Sequence, residues 1–97
     1  MFALHIHNKV NDYEQWKSGF DAYDGFRREH GVQSYRISRH AADPRLVCVD
    51  LDFATRDEAA GFLTRLETVL RTPRSQALLE SHEQPELFDV TEARQLR

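Results

Sequence analysis

The sequence predicts an α+β domain: one antiparallel sheet with two helices packed on the same face. Three observations carry that prediction. The stretch Arg45-Leu46-Val47-Cys48-Val49-Asp50-Leu51-Asp52-Phe53 alternates, with Val47, Val49, Leu51 and Phe53 on one side and Cys48, Asp50 and Asp52 on the other. That period of two marks a strand with one apolar face. Apolar residues elsewhere recur at helical spacing, first at Tyr13, Trp16, Phe20 and Tyr23, then from Ala59 to Leu70. Finally, the elements run strand, helix, strand, strand, helix, strand. Right-handed crossovers fold that order with the first and third strands side by side at the centre.

Met1 to Asn8 reads as the first strand, because Phe2, Leu4 and Ile6 alternate with Ala3, His5 and His7. The period changes at Asn11, which with Glu14 has the spacing of an N-cap and its capping-box acid. The helix that follows stops at Gly31, since glycine takes the left-handed cap conformation without strain. Gly19 and Gly25 weaken it by roughly 1 kcal/mol each, or else permit close approach of a neighbouring backbone or ligand. Val32 to Arg39 forms the second strand. Ala41-Ala42-Asp43-Pro44-Arg45 turns it back as a hairpin that sets Arg36 opposite Asp50 and Ile37 opposite Val49. Thr55 and Glu58 make a second capping box. The second helix then carries Ala59, Phe62, Leu63, Leu66, Val69 and Leu70 on one broad face. Thr72-Pro73 has the N-cap and N1 pattern of a short helix, Pro73 to Ser81. Pro85 blocks its continuation, and Leu87 to Thr91 reads as the last strand. The arrangement is ferredoxin-like.

Ninety-seven residues make one domain, 1–97, with 40% hydrophobic and 30% charged residues, as in a soluble globular protein. A net charge of -3 gives no electrostatic reason to expect nucleic acid or an anionic membrane. No apolar run approaches the ~18 residues of a membrane span, and no signal-type segment opens the chain. The single Cys48 rules out an internal disulfide and a cysteine-based zinc site. A cytoplasmic setting is the expectation.

With both helices on one face, the other face carries His5, His7, Arg36, Cys48, Asp50, Asp52 and Asp89. Many proteins of this topology bind RNA there through aromatics on the two central strands. Here those positions hold His, Cys and Asp, and two aspartates repel phosphate. The alternative is that two sheets pack face to face across a twofold axis, closing a barrel with the helices outside.

In that respect the chain resembles the dimeric α+β barrel proteins. The resemblance spans nearly the whole chain. It rests on the element order, the aromatic first helix after Val10-Asn11-Asp12-Tyr13, and the Ser38-Arg39-His40 to Asp43-Pro44 hairpin. Val49-Asp50-Leu51-Asp52-Phe53, leading into a Glu/Ala-rich helix, completes it. Such proteins include antibiotic-biosynthesis-type monooxygenases that need no cofactor, small polyketide cyclases, muconolactone-type isomerases and haem-degrading enzymes. The resemblance therefore implies a homodimer and an activity without a cofactor. The haem-degrading pattern of Asn, Trp and His is incomplete: Asn8 and His82 are present, but the second helix has no Trp.

Each candidate residue has a chemical reading and a plainer one. His5, His7, Asp50 and Asp52 share a face and are of metal-ligating types. Residues two apart on a strand lie ~6.5 Å apart at Cα, however, so a polar interface of His5, His7, Arg36, Cys48 and Asp50 is the simpler reading, and no metal is expected. Arg36 and Asp50 read as a cross-strand ion pair, within or between subunits. His82 is the candidate catalytic group, since small cyclases of this fold place a general acid or base near that point and imidazole titrates near neutrality. Its plainer reading is an exposed loop histidine among Glu80, Glu83 and Glu86. Trp16, Phe20 and Tyr23, with Tyr35 from the sheet, either form ordinary core or bind a small aromatic ligand, with Phe62 and Phe88 opposite them. Arg27 follows on the same stripe, at the mouth of such a pocket or snorkelling at the helix end.

Two functional classes remain: a cofactor-free monooxygenase, cyclase or isomerase acting on an aromatic or polyketide-like molecule, or a non-catalytic dimeric domain that binds a ligand or assembles.

Overall fold

A computed structural model describes residues 1–97. The chain runs β1 (Phe2–Val10), α1 (Tyr13–Asp21), α2 (Asp24–Glu29), β2 (Val32–Arg39), β3 (Leu46–Phe53), α3 (Arg56–Leu70), α4 (Pro73–Leu78), β4 (Leu79–His82) and β5 (Glu86–Asp89). β1 and β3 are central and antiparallel, in register from Phe2 opposite Phe53 to Lys9 opposite Leu46. Their alternation sends Leu4, Ile6 and Val10 of β1 and Val47, Val49, Leu51 and Phe53 of β3 to the helix side, where all are buried. β2 flanks β3 with Arg36 opposite Asp50 and Ile37 opposite Val49, the register that a hairpin turning near Asp43 requires. The result is a five-stranded antiparallel sheet with its helices on one face, the ferredoxin-like α+β arrangement.

The helix termini follow local chemistry. Thr55 caps α3, its Oγ1 accepting the Glu58 N–H at 3.2 Å. Thr72 does the same for α4, with Pro73 at N1 and the Ser75 N–H at 3.2 Å. At α1 the cap is Asp12 rather than Asn11: Asp12 Oδ1 accepts from the Gln15 N–H, while Asn11 Nδ2 reaches across to the Ala77 carbonyl at 2.9 Å. Both side chains can cap, and the long-range bond to α4 claims Asn11.

Two further departures place the site. The expected single first helix is two, because Tyr23 N–H bonds back three residues to Phe20 O and the chain bends before α2 begins. The bend carries Phe26 onto Phe62, 5.5 Å between centroids, and Phe62 in turn onto Phe53 at 5.4 Å. Gly31, at φ +93°, ends α2 as expected. The outer edge of the nine-residue β1 is shared by two short strands: β4 pairs with Asn8–Val10 and β5 with Phe2–His5. The short helix thus stops at Leu78 rather than Ser81, and the last strand is Glu86–Asp89 rather than Leu87–Thr91. Pro85, buried and lacking an N–H for the ladder, lies between the two.

Candidate functional site

On the helix side, α1, α2, α3 and α4 do not close completely onto the sheet. They leave a cavity of about 110 Å³, floored by Ile6 and Asn8 of β1 and Val49 and Leu51 of β3. Trp16, Gly19 and Phe20 of α1, with Tyr23 from the bend, form one wall, and Phe62, Leu66, Val69 and Leu70 of α3 form another. Arg74, Ser75 and Leu78 of α4 border it, with exposed Arg74 marking the rim. Gly19 lets Leu78 sit against α1: a Cβ there would stand 2.6 Å from Leu78 Cδ1, so that side chain would have to move.

Within this apolar box two polar side chains bury atoms that have no hydrogen-bond partner. Asn8 is 8% exposed and its Oδ1 has no hydrogen-bond donor. It stands where the alternation Leu4, Ile6, Val10 of β1 calls for an apolar residue. Arg27 is 5% exposed, and its Nε and Nη2 are both without acceptors. Its guanidinium lies over the Phe20 ring, 3.6 Å from Cζ to centroid. Asp24 Oδ1 approaches Nη2 only to 3.9 Å, too far for a hydrogen bond, because Asp24 is held by Arg28 Nε at 2.9 Å. Burial lowers the Arg27 pKa from the ordinary arginine value, and the fields of Tyr35, Asp24 and Asp21 oppose that shift. An arginine stays charged at neutral pH even so.

The structure brings Trp16, Phe20 and Tyr23 together on this cavity, with ring centroids of Trp16 and Phe20 5.2 Å apart. Tyr35 stands behind them: it meets Phe20 edge-on at 5.2 Å, is 42% exposed, and does not line the space. His82 does not reach the cavity. It ends β4, exposed, and borders an open concavity with His7, Cys48, Ser38 and His40. Phe88 also departs from expectation, because β5 turns it to the sheet's other face against His5, 4.5 Å between centroids. Arg27 lines the cavity as a buried side chain rather than an exposed one at its mouth.

His5, His7, Arg36, Cys48 and Asp50 do share the face without helices. Their contacts differ from a simple Arg36–Asp50 pair. Arg36 makes no ion pair within the chain, although it stands opposite Asp50. Asp50 has a neighbour on each flanking strand, and the one it engages is His5, whose Nε2 lies 3.5 Å away. Cys48 Sγ is 3.8 Å from Asp50 Oδ1 and 3.9 Å from His7 Nε2, and Ser34 Oγ donates to Asp52 Oδ2 at 2.8 Å.

The deepest polar residues, Asn8 and Arg27, are those that sequence reasoning placed least well. Asn8 had a signal, a polar residue interrupting the apolar face of a strand. Arg27 had one too, its place on the aromatic stripe of Trp16, Phe20 and Tyr23, but a charged residue at a helix end reads equally as snorkelling, so its burial was not legible.

The fold is thus the ferredoxin-like α+β arrangement, and in this chain a cavity lies between its helices and its sheet. No protein-family model matches the sequence, and no curated protein matches it. Solved structures do. SnoaB from Streptomyces nogalater, a cofactor-independent oxygenase, superposes with a TM-score of 0.72 at 17% identity over 97% of this chain and 93% of that one. A candidate antibiotic biosynthesis monooxygenase from Chloroflexus aurantiacus superposes at 0.66 with 9% identity, over 99% and 98% of the two chains. A dimeric ferredoxin-like protein from an uncultured marine organism gives 0.62 at 13% identity, over 95% and 96%. These are members of the fold group that the sequence resembles.

Proposed function

We propose that this chain is a cofactor-independent oxygenase of the antibiotic-biosynthesis monooxygenase type. Its substrate is a small planar aromatic or polyketide-like molecule, and it works as a homodimer joined through the open sheet faces. The observation that carries the reading is the cavity, walled by Trp16, Phe20 and Tyr23 and holding the unpartnered polar atoms of Asn8 and Arg27. Mostly apolar concavities with a few placed polar groups are the usual small-molecule sites. The similarity to SnoaB, itself a cofactor-independent oxygenase, supports the class of reaction. Such chemistry places the reactive electrons on the substrate, so the protein's part is to bind, orient and exclude water.

A second reading has its own observation. The residues lining the cavity include no His, Asp or Glu, so no carboxylate or imidazole stands ready as a general base. On that reading the domain binds a ligand without turning it over. Dioxygen uptake with a panel of hydroxylated naphthalenes and anthrones separates the two. Uptake that falls at least tenfold in Trp16→Ala supports the oxygenase. Binding without uptake across the panel favours the binding domain, and no binding at all sinks both. His82→Ala tests the role expected of that residue: unchanged turnover would remove His82 from the mechanism.

A further inference from the structure

Asn8 and Arg27 carry more information than the cavity's size, because the atoms left without partners have defined chemistry. The Arg27 Cζ lies over the Phe20 ring, 3.6 Å from its centroid, and a guanidinium donates its hydrogen bonds in its own plane, along its edges. The unpartnered atoms, Nε and Nη2, are the two donors of one such edge. A guanidinium edge of this kind takes two oxygens side by side in one plane, as in bidentate carboxylate pairs. Asn8 contributes the opposite requirement, since its free Oδ1 accepts and needs a donor. No carboxylate lines the cavity to neutralise Arg27 there, and the nearest, Asp24, stands 3.9 Å from Nη2 and is occupied by Arg28. The volume, about 110 Å³, is of the order of the roughly 150 Å³ cavity that holds a benzene ring.

From these positions we infer that the cavity selects an aromatic anion: one ring in the apolar box, a planar pair of oxygens sharing a negative charge on the Nε–Nη2 edge of Arg27, and a hydroxyl donating to Asn8 Oδ1. A carboxylate and the enolate of a 1,3-dicarbonyl both offer that oxygen pair. This deepens the aromatic-ligand reading above and rests on it.

The protein supplies its own reporter, because Trp16 is the one tryptophan of the chain and lines the cavity. Titration of its fluorescence with 4-hydroxybenzoate, methyl 4-hydroxybenzoate and benzoate reads the inference directly. The acid is expected to bind at least tenfold more tightly than the neutral ester, and 4-hydroxybenzoate more tightly than benzoate. Arg27→Met should weaken the acid at least tenfold and the ester, which loses only a neutral hydrogen bond to its carbonyl, much less, so that the preference for acid over ester disappears. Arg27→Lys keeps the charge but not the two-donor edge, and should lose most of the same preference. It also serves if the Met variant fails to fold. Asn8→Leu should erase the advantage of the hydroxyl. Benzoylacetone near its enol pKa, against butyrophenone, identifies which oxygen pair is preferred.

If ester and acid bind alike, or the acid preference survives both Arg27 changes, the anion inference is wrong while the aromatic cavity stands. If no probe, charged or neutral, perturbs Trp16, the cavity is not an aromatic site, and the inference falls with that reading.

Discussion

At the scale of single residues, the two buried polar side chains should behave as functional groups rather than structural ones. A buried acceptor without a donor costs about 1–3 kcal/mol, and replacing a desolvated charge by an apolar chain of similar volume is often neutral or stabilising. Asn8→Leu is therefore expected to raise unfolding stability by about 1 kcal/mol, seen as a higher urea midpoint at unchanged slope. Arg27→Met should leave stability level or higher, the loss of its stacking on Phe20 being about 0.5–2 kcal/mol against the relieved desolvation. A loss above about 2 kcal/mol in either variant would make that residue a structural strut. Cys48 offers a different test. Burial, followed by the charge of Asp50 and its hydrogen bond to the thiol, raises the Cys48 pKa above its ordinary value. A raised thiol pKa means less thiolate at a given pH. Iodoacetamide should alkylate Cys48 more slowly at pH 8 than it alkylates a free peptide thiol, the rate should climb as pH rises through the elevated pKa, and Asp50→Asn should speed it. Equal rates in the parent and Asp50→Asn proteins would remove Asp50 from the account.

Among the elements, what can be read from sequence is what neighbouring residues decide. Gly31 ends α2 at φ +93°, and Glu58 Oε2 would stand 2.6 Å from any Cβ placed there. Gly31→Ala should cost about 1–2 kcal/mol from the left-handed backbone alone, measurable by urea unfolding, whereas Gly25→Ala, with open space around it, should stabilise slightly. Thr55→Ala, removing the α3 cap, should cost about 1 kcal/mol. The Thr55 and Thr72 caps and the hairpin register of Arg36 against Asp50 follow from patterns within about fifteen residues, and the central pair β1 and β3 follows from the order of the elements. The failures arise where distant segments compete. Asn11 and Asp12 are equal as caps until Ala77 claims Asn11. Leu79 to His82 has no strand signal of its own and becomes one because β1 has an unfilled edge. Arg27 shares the aromatic stripe, but whether its charged end stays in water or is buried is decided by the segments packed around it. The aromatic wall of the site was thus legible in Trp16, Phe20 and Tyr23. Its polar centre was a product of packing.

For the whole molecule, the proposed assembly rests on the open sheet face. That face carries Phe88, 43% exposed and stacked on His5, beside Cys48, Asp50 and Arg36. Arg36 finds no acid within its own chain, and Asp50 has only His5 at 3.5 Å and the Cys48 thiol at 3.8 Å, neither a full ion pair. Across a twofold axis every residue meets the partner's copy of the same surface, so a face bearing both an unpaired guanidinium and under-used carboxylates can complete its pairs on a second copy. The proposed homodimer should then appear by sedimentation at micromolar concentration. Cys48→Glu, a charge at the centre of the face, should shift it to monomer without unfolding it, as judged by far-UV circular dichroism. Arg36→Asp alone and Asp50→Arg alone should each weaken the dimer, and the double exchange should recover part of the loss, because the two sites couple only if they meet. The strength of coupling should fall with added salt, as expected for charges that are not deeply buried. A protein that sediments as a monomer at all micromolar concentrations would overturn the assembly.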